Sequence, residues 1–207
     1  MDIIAITVCV NYDDILEQML VQNAKFLHTW FIVTSPEDTK TIHLIENSGK
    51  ENIQVLIYED FYKNRATFNF GGARLFAQTH IDKLYSSANI LFLDADIYLP
   101  DNFMEKLPRS LEDDTLYGTQ RTDYWTFKGF KDEKESHAWK RPSFEGFFQL
   151  YKQNEKYMYA DSYNCSKCDD IFKAKFPRKR MLDIRVKHLG KNGDNWDGRV
   201  YNELVLD

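Results

Sequence analysis

Ile90-Leu91-Phe92-Leu93-Asp94-Ala95-Asp96 decides the reading of this chain. Four consecutive large apolar residues are what a parallel strand needs when both of its faces are covered, and two carboxylates one residue apart follow at once. Ligands of open α/β sheets bind in the crevice outside the carboxyl ends of the strands, so Asp94 and Asp96 are predicted at the rim of such a crevice. There they would share little with the core and would suit a hard divalent cation, Mn2+ or Mg2+, bridging the oxygens of a diphosphate. Taken alone, an Asp-x-Asp pair is also what a solvated turn after a strand looks like.

The residues before this strand repeat one pattern. Ile3 to Val10 is a near-continuous apolar run, and Asp14 to Phe26 carries Ile15, Leu16, Met19, Leu20 and Ala24 at helical spacing, which makes one β-α unit. Trp30 to Thr34 repeats the strand signal. Ser35-Pro36-Glu37-Asp38 reads as a helix start, with Thr39 to Glu46 the helix it opens. Asn52 to Tyr58 is a third strand, and Gly71 to Leu84 a helix predicted to turn Leu75, Phe76, Ile81 and Leu84 inward. The fold class is therefore α/β, one domain over 1-207, with a mostly parallel sheet. Its first half, 1-100, carries the alternation, and 101-207 forms a smaller mixed region.

Beyond Pro100 the periods weaken. Thr115 to Arg121 and Gly146 to Tyr151 read as strands, Lys128 to Lys140 as an excursion loop, and Asp169 to Phe176 as a short helix stopped by Pro177. Two acids in its first turn, Asp169 and Asp170, are also what the helix dipole favours. No internal repeat and no low-complexity segment is present.

Composition removes several classes of function. The chain has 207 residues, of which 43% are hydrophobic, and a formal net charge of −5, so no broad basic surface exists for nucleic-acid phosphates. No stretch approaches the roughly 20 apolar residues of a membrane span, and the amino terminus lacks a basic leader. A cytoplasmic compartment is expected. Three cysteines, Cys9, Cys165 and Cys168, make no closed disulfide set, and Cys165 and Cys168 lack the second pair that structural zinc needs.

The run from Asn69-Phe70-Gly71-Gly72-Ala73-Arg74 through Asp96 to Pro100 resembles the central segment of GT-A glycosyltransferases. In those families a Gly- and Ala-rich helix bearing an Arg leads into an apolar strand ending Asp-x-Asp. The likeness departs at Leu75, where many relatives have Asn. It implies a Rossmann-like GT-A domain, a UDP-sugar donor, a glycan acceptor and a divalent cation. Thr7, Asn11 and Tyr12 would then cradle uracil, with Tyr12 stacking on it. Asp38 would accept from the base N–H, or else simply cap its helix. Arg74 and Asp94 would face the nucleotide sugar, and Gln149, in Gly146-Phe147-Phe148-Gln149-Leu150-Tyr151, would line its sugar side.

The carboxyl-terminal His188-Leu189-Gly190-Lys191, ahead of Asn195-Trp196-Asp197-Gly198-Arg199, is similar to the late His-Gly segment that closes the metal site. This implies His188 as a third ligand beside Asp94 and Asp96, with Lys191 on the diphosphate. Asp169 and Asp170 are similar to the acidic pair supplying the general base in inverting members, while the His-Gly-Lys tail is similar to retaining families; both outcomes stay open. A narrower likeness, to glycosyltransferase domains at the amino terminus of large chlorella-virus proteins, implies further domains in a longer chain and the host cytoplasm. Two other readings stand beside this one: a nucleotidyltransferase that makes nucleotide sugars, and a non-catalytic nucleotide- or glycan-binding module. Against the first, Asn11-Tyr12-Asp13-Asp14 is acidic where a Gly-rich basic loop belongs.

Overall fold

The computed structural model describes residues 1–63, 67–134, 136–138 and 143–190. Strands β1 (Ile3–Val8), β2 (Thr29–Thr34), β3 (Ile53–Ile57) and β4 (Asn89–Leu93) pair in parallel in the order β3-β2-β1-β4. Helices α1 (Asp13–Asn23), α2 (Thr39–Glu46) and α3 (Phe70–Leu84) make the crossovers. The alternation read in the sequence is thus the observed one. Alternate residues of β1 serve two cores: Ile3 and Ala5 pack with Ile15, Leu16 and Met19 of α1 on one face. Ile4, Ile6 and Val8 pack with Ala73, Ala77 and Ile81 of α3 on the other. A strand apolar on both faces has no register in which it is soluble alone, which commits it to the sheet centre.

The chain runs from β1 outward to β3 and then returns to the far side of β1 for β4. The strand order reverses between β1 and β4, and the crevice of such a sheet opens at that point. The remaining strands continue the same sheet as a mixed half: β5 (Ile97–Tyr98), β6 (Thr115–Tyr124), β7 (Ser136–Ala138), β8 (Phe148–Lys152) and β9 (Arg178–Leu189). Strand β8 lies antiparallel to β4, and β9 lies between β6, to which it is parallel, and β5, to which it is antiparallel. The β6–β9 register shifts between Gly118, opposite Met181, and Gln120, opposite Arg185.

Four expectations need correcting. Lys128 to Lys140 is not a plain loop, because α4 (Phe127–Asp132) and β7 occupy much of it; the Thr126 hydroxyl caps α4 by accepting from the Gly129 N–H at 2.9 Å. Helix α5 runs Cys165–Ala174, so Asp169 and Asp170 lie past its first turn rather than in it. Phe76 and Leu84 are exposed and Leu75 only half-buried, while Ile81 is buried as expected. The inward face of α3 is instead Phe70, Gly71, Gly72, Ala73, Arg74, Ala77, Gln78 and Ile81. The long strand β9, with its basic start, was not anticipated. No helix among the described residues is long and apolar enough to cross a membrane.

The start of α3 explains its paired glycines. The Asn69 side chain caps the helix by accepting from the Gly72 N–H at 3.0 Å and from the Ser162 N–H at 2.9 Å. A β-carbon on Gly71 would stand 2.2 Å from the Ala160 carbonyl oxygen, and one on Gly72 2.5 Å from Asp161 Oδ1. Two missing side chains let the segment before α5 lie against the helix, and this fixes where Arg74 emerges.

Candidate active site

At the carboxyl end of β4, Asp94 and Asp96 turn away from one another into different networks. Asp94 accepts from Arg74 Nη2 at 2.9 Å. Arg74 is fully buried and donates further to Asp169 Oδ1 at 2.9 Å, the Tyr159 hydroxyl at 2.5 Å and the Gly146 carbonyl at 2.8 Å. Its guanidinium lies over the rings of Phe70, Phe92 and Tyr159. A planar fork of five fixed donors can serve two carboxylates, a hydroxyl and a carbonyl at once; an ammonium, with three donors at one point, cannot serve all four. The Tyr159 hydroxyl also meets Gln149 Oε1, and Gln149 donates to the Phe144 carbonyl at 2.8 Å. Arg74, Asp94, Gln149 and Asp169 therefore belong to one assembly built from α3, β4, β8 and α5. Burial holds the Asp94 carboxyl above the usual carboxylate range; Arg74 opposes this, while Asp96 and Asp169 add to it.

Asp96 and His188 form the second network. Strand β9 places Ile97 opposite His188, and the Leu189 N–H donates to the Asp96 carbonyl at 3.0 Å. His188 Nε2 stands 3.2 Å from Asp96 Oδ2, and Nδ1 stands 3.0 Å from Asp123 Oδ1. Burial alone would lower the imidazole pKa, but the carboxylates of Asp96 and Asp123 outweigh it and hold the value at about 9. Asp96 is 7% exposed, and its buried Oδ1 has no hydrogen-bond partner among the described residues. The expectation that both aspartates would share little with the core is thus corrected: Asp96 is buried beside its histidine, and only Asp94, with 30% side-chain exposure, reaches the surface. Among the described residues, no group of three or more His, Cys, Asp or Glu side chains is arranged to hold a metal.

The β1 and β2 ends lie beside these networks. Asn11 has a left-handed φ of 60°, and its N–H donates to Asp38 Oδ2 at 2.8 Å. Asp38 also caps α2 through the Thr41 N–H at 3.2 Å and accepts from the Thr34 hydroxyl at 2.9 Å, so the capping alternative is realised. Thr7 is buried; its hydroxyl donates to the Leu93 carbonyl at 2.6 Å and accepts from Trp30 Nε1 at 2.8 Å, tying β1 to the acidic end of β4. Tyr12 packs in the core cluster beside α1. Asp170 faces outward and pairs with Lys173 at 2.6 Å, and Lys173 also reaches Glu145 at 2.9 Å. Lys191 and the segment from Asn195 to Arg199 lie outside the described residues. Cys9 and Cys168 are buried thiols, not joined in a disulfide.

Tyr159, Arg121 and Asp123 were not singled out from the sequence. The signal for Asp123 is its parity on β6 with Arg121, both inward from the same face, but this is readable only once β9 is known to be its neighbour.

No protein-family model and no curated protein matches this sequence. Solved structures match in fold. The chain is similar to the inositol-1-phosphate CTP transferase from T. maritima, with a TM-score of 0.51 at 8% identity, covering 92% of this chain and 90% of that one. It is also similar to a 4-diphosphocytidyl-2C-methyl-D-erythritol synthase from Anaerococcus prevotii DSM 20548, with a TM-score of 0.49 at 12% identity, covering 98% and 93%. Mouse xyloside xylosyltransferase 1 in its apo form aligns with a TM-score of 0.36 at 10% identity, covering 73% of this chain and 67% of that one. At such identities the likeness is one of architecture: an α/β domain whose parallel half is Rossmann-like. Function has to be argued from the site itself.

Proposed function

We propose that this protein is a metal-dependent glycosyltransferase that moves a sugar from a nucleoside diphosphate donor, a UDP-sugar, to a glycan hydroxyl. The observation that carries this reading is the pairing of Asp96 with His188 at the strand-order reversal. Adjacent ligands in an octahedral shell with bonds of about 2.1 Å stand about 3 Å apart, and Asp96 Oδ2 and His188 Nε2 are separated by 3.2 Å. A cation there would also satisfy the orphaned Asp96 Oδ1. These two side chains would hold Mn2+ or Mg2+ and phosphate oxygens would supply further ligands, while Asp94, held by Arg74, would stay beside the site rather than in it. Bound there, the cation supplies charge neutralisation to the departing diphosphate.

The chain's own residues do the rest. Asn11 and Asp38 shape the base end of the crevice, Thr7 ties that end to β4, and Tyr12 supports it from the core. Arg74 fixes Asp94 and Asp169 in place, and Gln149 borders the sugar side through Tyr159. Asp170 is the accessible carboxylate of α5; in an inverting reaction it would take the acceptor proton. Lys191 is assigned to the diphosphate. The nucleotidyltransferase alternative is disfavoured by the β1–α1 connection, because α1 opens with Asp13 and Asp14 in its first turn, where like charge repels a phosphate.

Incubation with a panel of UDP-sugars and Mn2+ tests the proposal. Slow UDP release by hydrolysis is expected with the preferred donor. Manganese should bind more tightly with UDP present than without it, and UDP should gain by the same factor from manganese. UDP binding without release from any donor would favour the non-catalytic module, and equal UDP affinity in chelator and in manganese would remove the metal from the reading.

A further inference from the structure

We propose that Asp123 is a positioning residue for the cation site, holding His188 in the tautomer and orientation that turn Nε2 toward Asp96. The inference rests on the metal reading above. Strand β9 is flanked on one side by β6 and on the other by β5. The β6 register sets Asp123 opposite His188, and the β5 register sets Ile97, next to Asp96, opposite the same histidine. The imidazole therefore lies between carboxylates from two neighbouring strands, with Asp123 Oδ1 at 3.0 Å from Nδ1 and Asp96 Oδ2 at 3.2 Å from Nε2. Side-chain exposures of 8% for Asp123 and 6% for His188 leave the ring no solvent to turn into.

A neutral imidazole carries one N–H, and the hydrogen bond made at one nitrogen decides which atom offers the lone pair. With a cation bound, Nε2 would have given up its proton; the Nδ1 proton stays committed to Asp123, and the Nε2 lone pair would be the one turned toward Asp96. Two electron-pair donors converging on one point are stable when a cation lies between them. Without Asp123 the ring is free to take the other tautomer, whose Nε2–H would donate to Asp96 and close the position to a metal. Metal-binding histidines are commonly oriented by such a carboxylate. Asp123 is in turn anchored: Arg121 Nε lies 2.9 Å from Oδ1, and the Arg121 guanidinium sits over the Phe147 ring at 4.9 Å. The Phe147 carbonyl accepts the Asp94 N–H at 3.2 Å. The contacts run from the acidic end of β4 through β8, β6 and β9 back to Asp96, so the histidine is aimed by the same backbone that carries the acids.

Binding of Mn2+ in the presence of UDP, followed by the electron paramagnetic resonance of the free ion, tests this without turnover. Asp123→Ala is expected to weaken Mn2+ binding by roughly 10- to 100-fold, and the same substitution in a His188→Ala background should leave the affinity unchanged. Equal loss in both backgrounds would show a merely structural role, and no loss in the single variant would remove the role altogether. Nitrogen NMR of wild-type His188 with Mg2+ and UDP should find the proton on Nδ1; a proton on Nε2 overturns the proposal even if Asp123→Ala fails to fold. A wild-type protein that binds no Mn2+ with UDP would instead sink the metal reading, and this inference with it.

Discussion

Gly146 and Asp169 share one small volume: a β-carbon on Gly146 would stand 2.2 Å from Asp169 Oδ2. The missing side chain lets the carboxylate of α5 descend onto Arg74, which at the same time donates to the Gly146 carbonyl at 2.8 Å. Gly146→Ala is therefore expected to force Asp169 off the guanidinium and to destabilise the fold by about 1–3 kcal/mol. Urea denaturation measures it, and an unchanged midpoint would mean that the two residues are not held against each other in solution.

Arg74 is the cation that lets buried Asp169 and half-buried Asp94 stand close together. Arg74→Met keeps the length and apolar stem but leaves Asp169 buried without its partner, for which a loss of about 3–5 kcal/mol is expected. Arg74→Lys should recover only part of it, because one ammonium cannot serve Asp94, Asp169, Tyr159 and the Gly146 carbonyl together. Full recovery by lysine would argue that charge alone, not the fork, organises this end of β4.

Asp96→Asn separates the metal from the fold. The amide preserves volume, so the variant should fold with a modest loss of about 1–3 kcal/mol from the weakened contact to His188. UDP release and the tightening of UDP binding by manganese should both disappear. Calorimetry of UDP with and without manganese is the check, and retained coupling would place the cation elsewhere.

His188 makes stability depend on pH in the metal-free protein. Its pKa is held at about 9 against an ordinary 6.5, so the folded state binds the proton more tightly than the unfolded chain does. The resulting stabilisation is fully present below about pH 6.5 and is lost as pH rises through about 9. In chelator, the stability advantage of wild type over His188→Gln should shrink across that window by on the order of 3 kcal/mol. A gap independent of pH would mean that the folded imidazole is neutral throughout.

The first half of the fold was legible because parallel strands covered on both faces appear as apolar runs, and α1 and α2 show a plain apolar stripe. Helix α3 departs from its periodicity because much of its buried side is polar or small: Gly71, Gly72, Arg74 and Gln78 are buried while Phe76 and Leu84 are exposed. Strand β9 is masked in the sequence, although Leu182, Ile184, Val186 and His188 alternate inward, because its first residues are charged and exposed. The place of Asp96 just past an apolar strand could be read from the sequence. The partners that bury it could not, because Asp123 and His188 meet only through the register of β6 with β9.

That register has an evolutionary side. Between Gly118 and Gln120 on one strand, and Met181 and Arg185 on the other, β9 gains two residues over β6. Side chains alternate with period two, so an even gain keeps every inward residue inward and slides the strand end along by roughly 6–7 Å. Insertions or deletions at this offset would move the late histidine nearer to or farther from the acidic end of β4 without unpacking the core beneath it. A change in strand length at this offset is thus a route to reposition His188 relative to Asp96 without altering the chemistry of any residue.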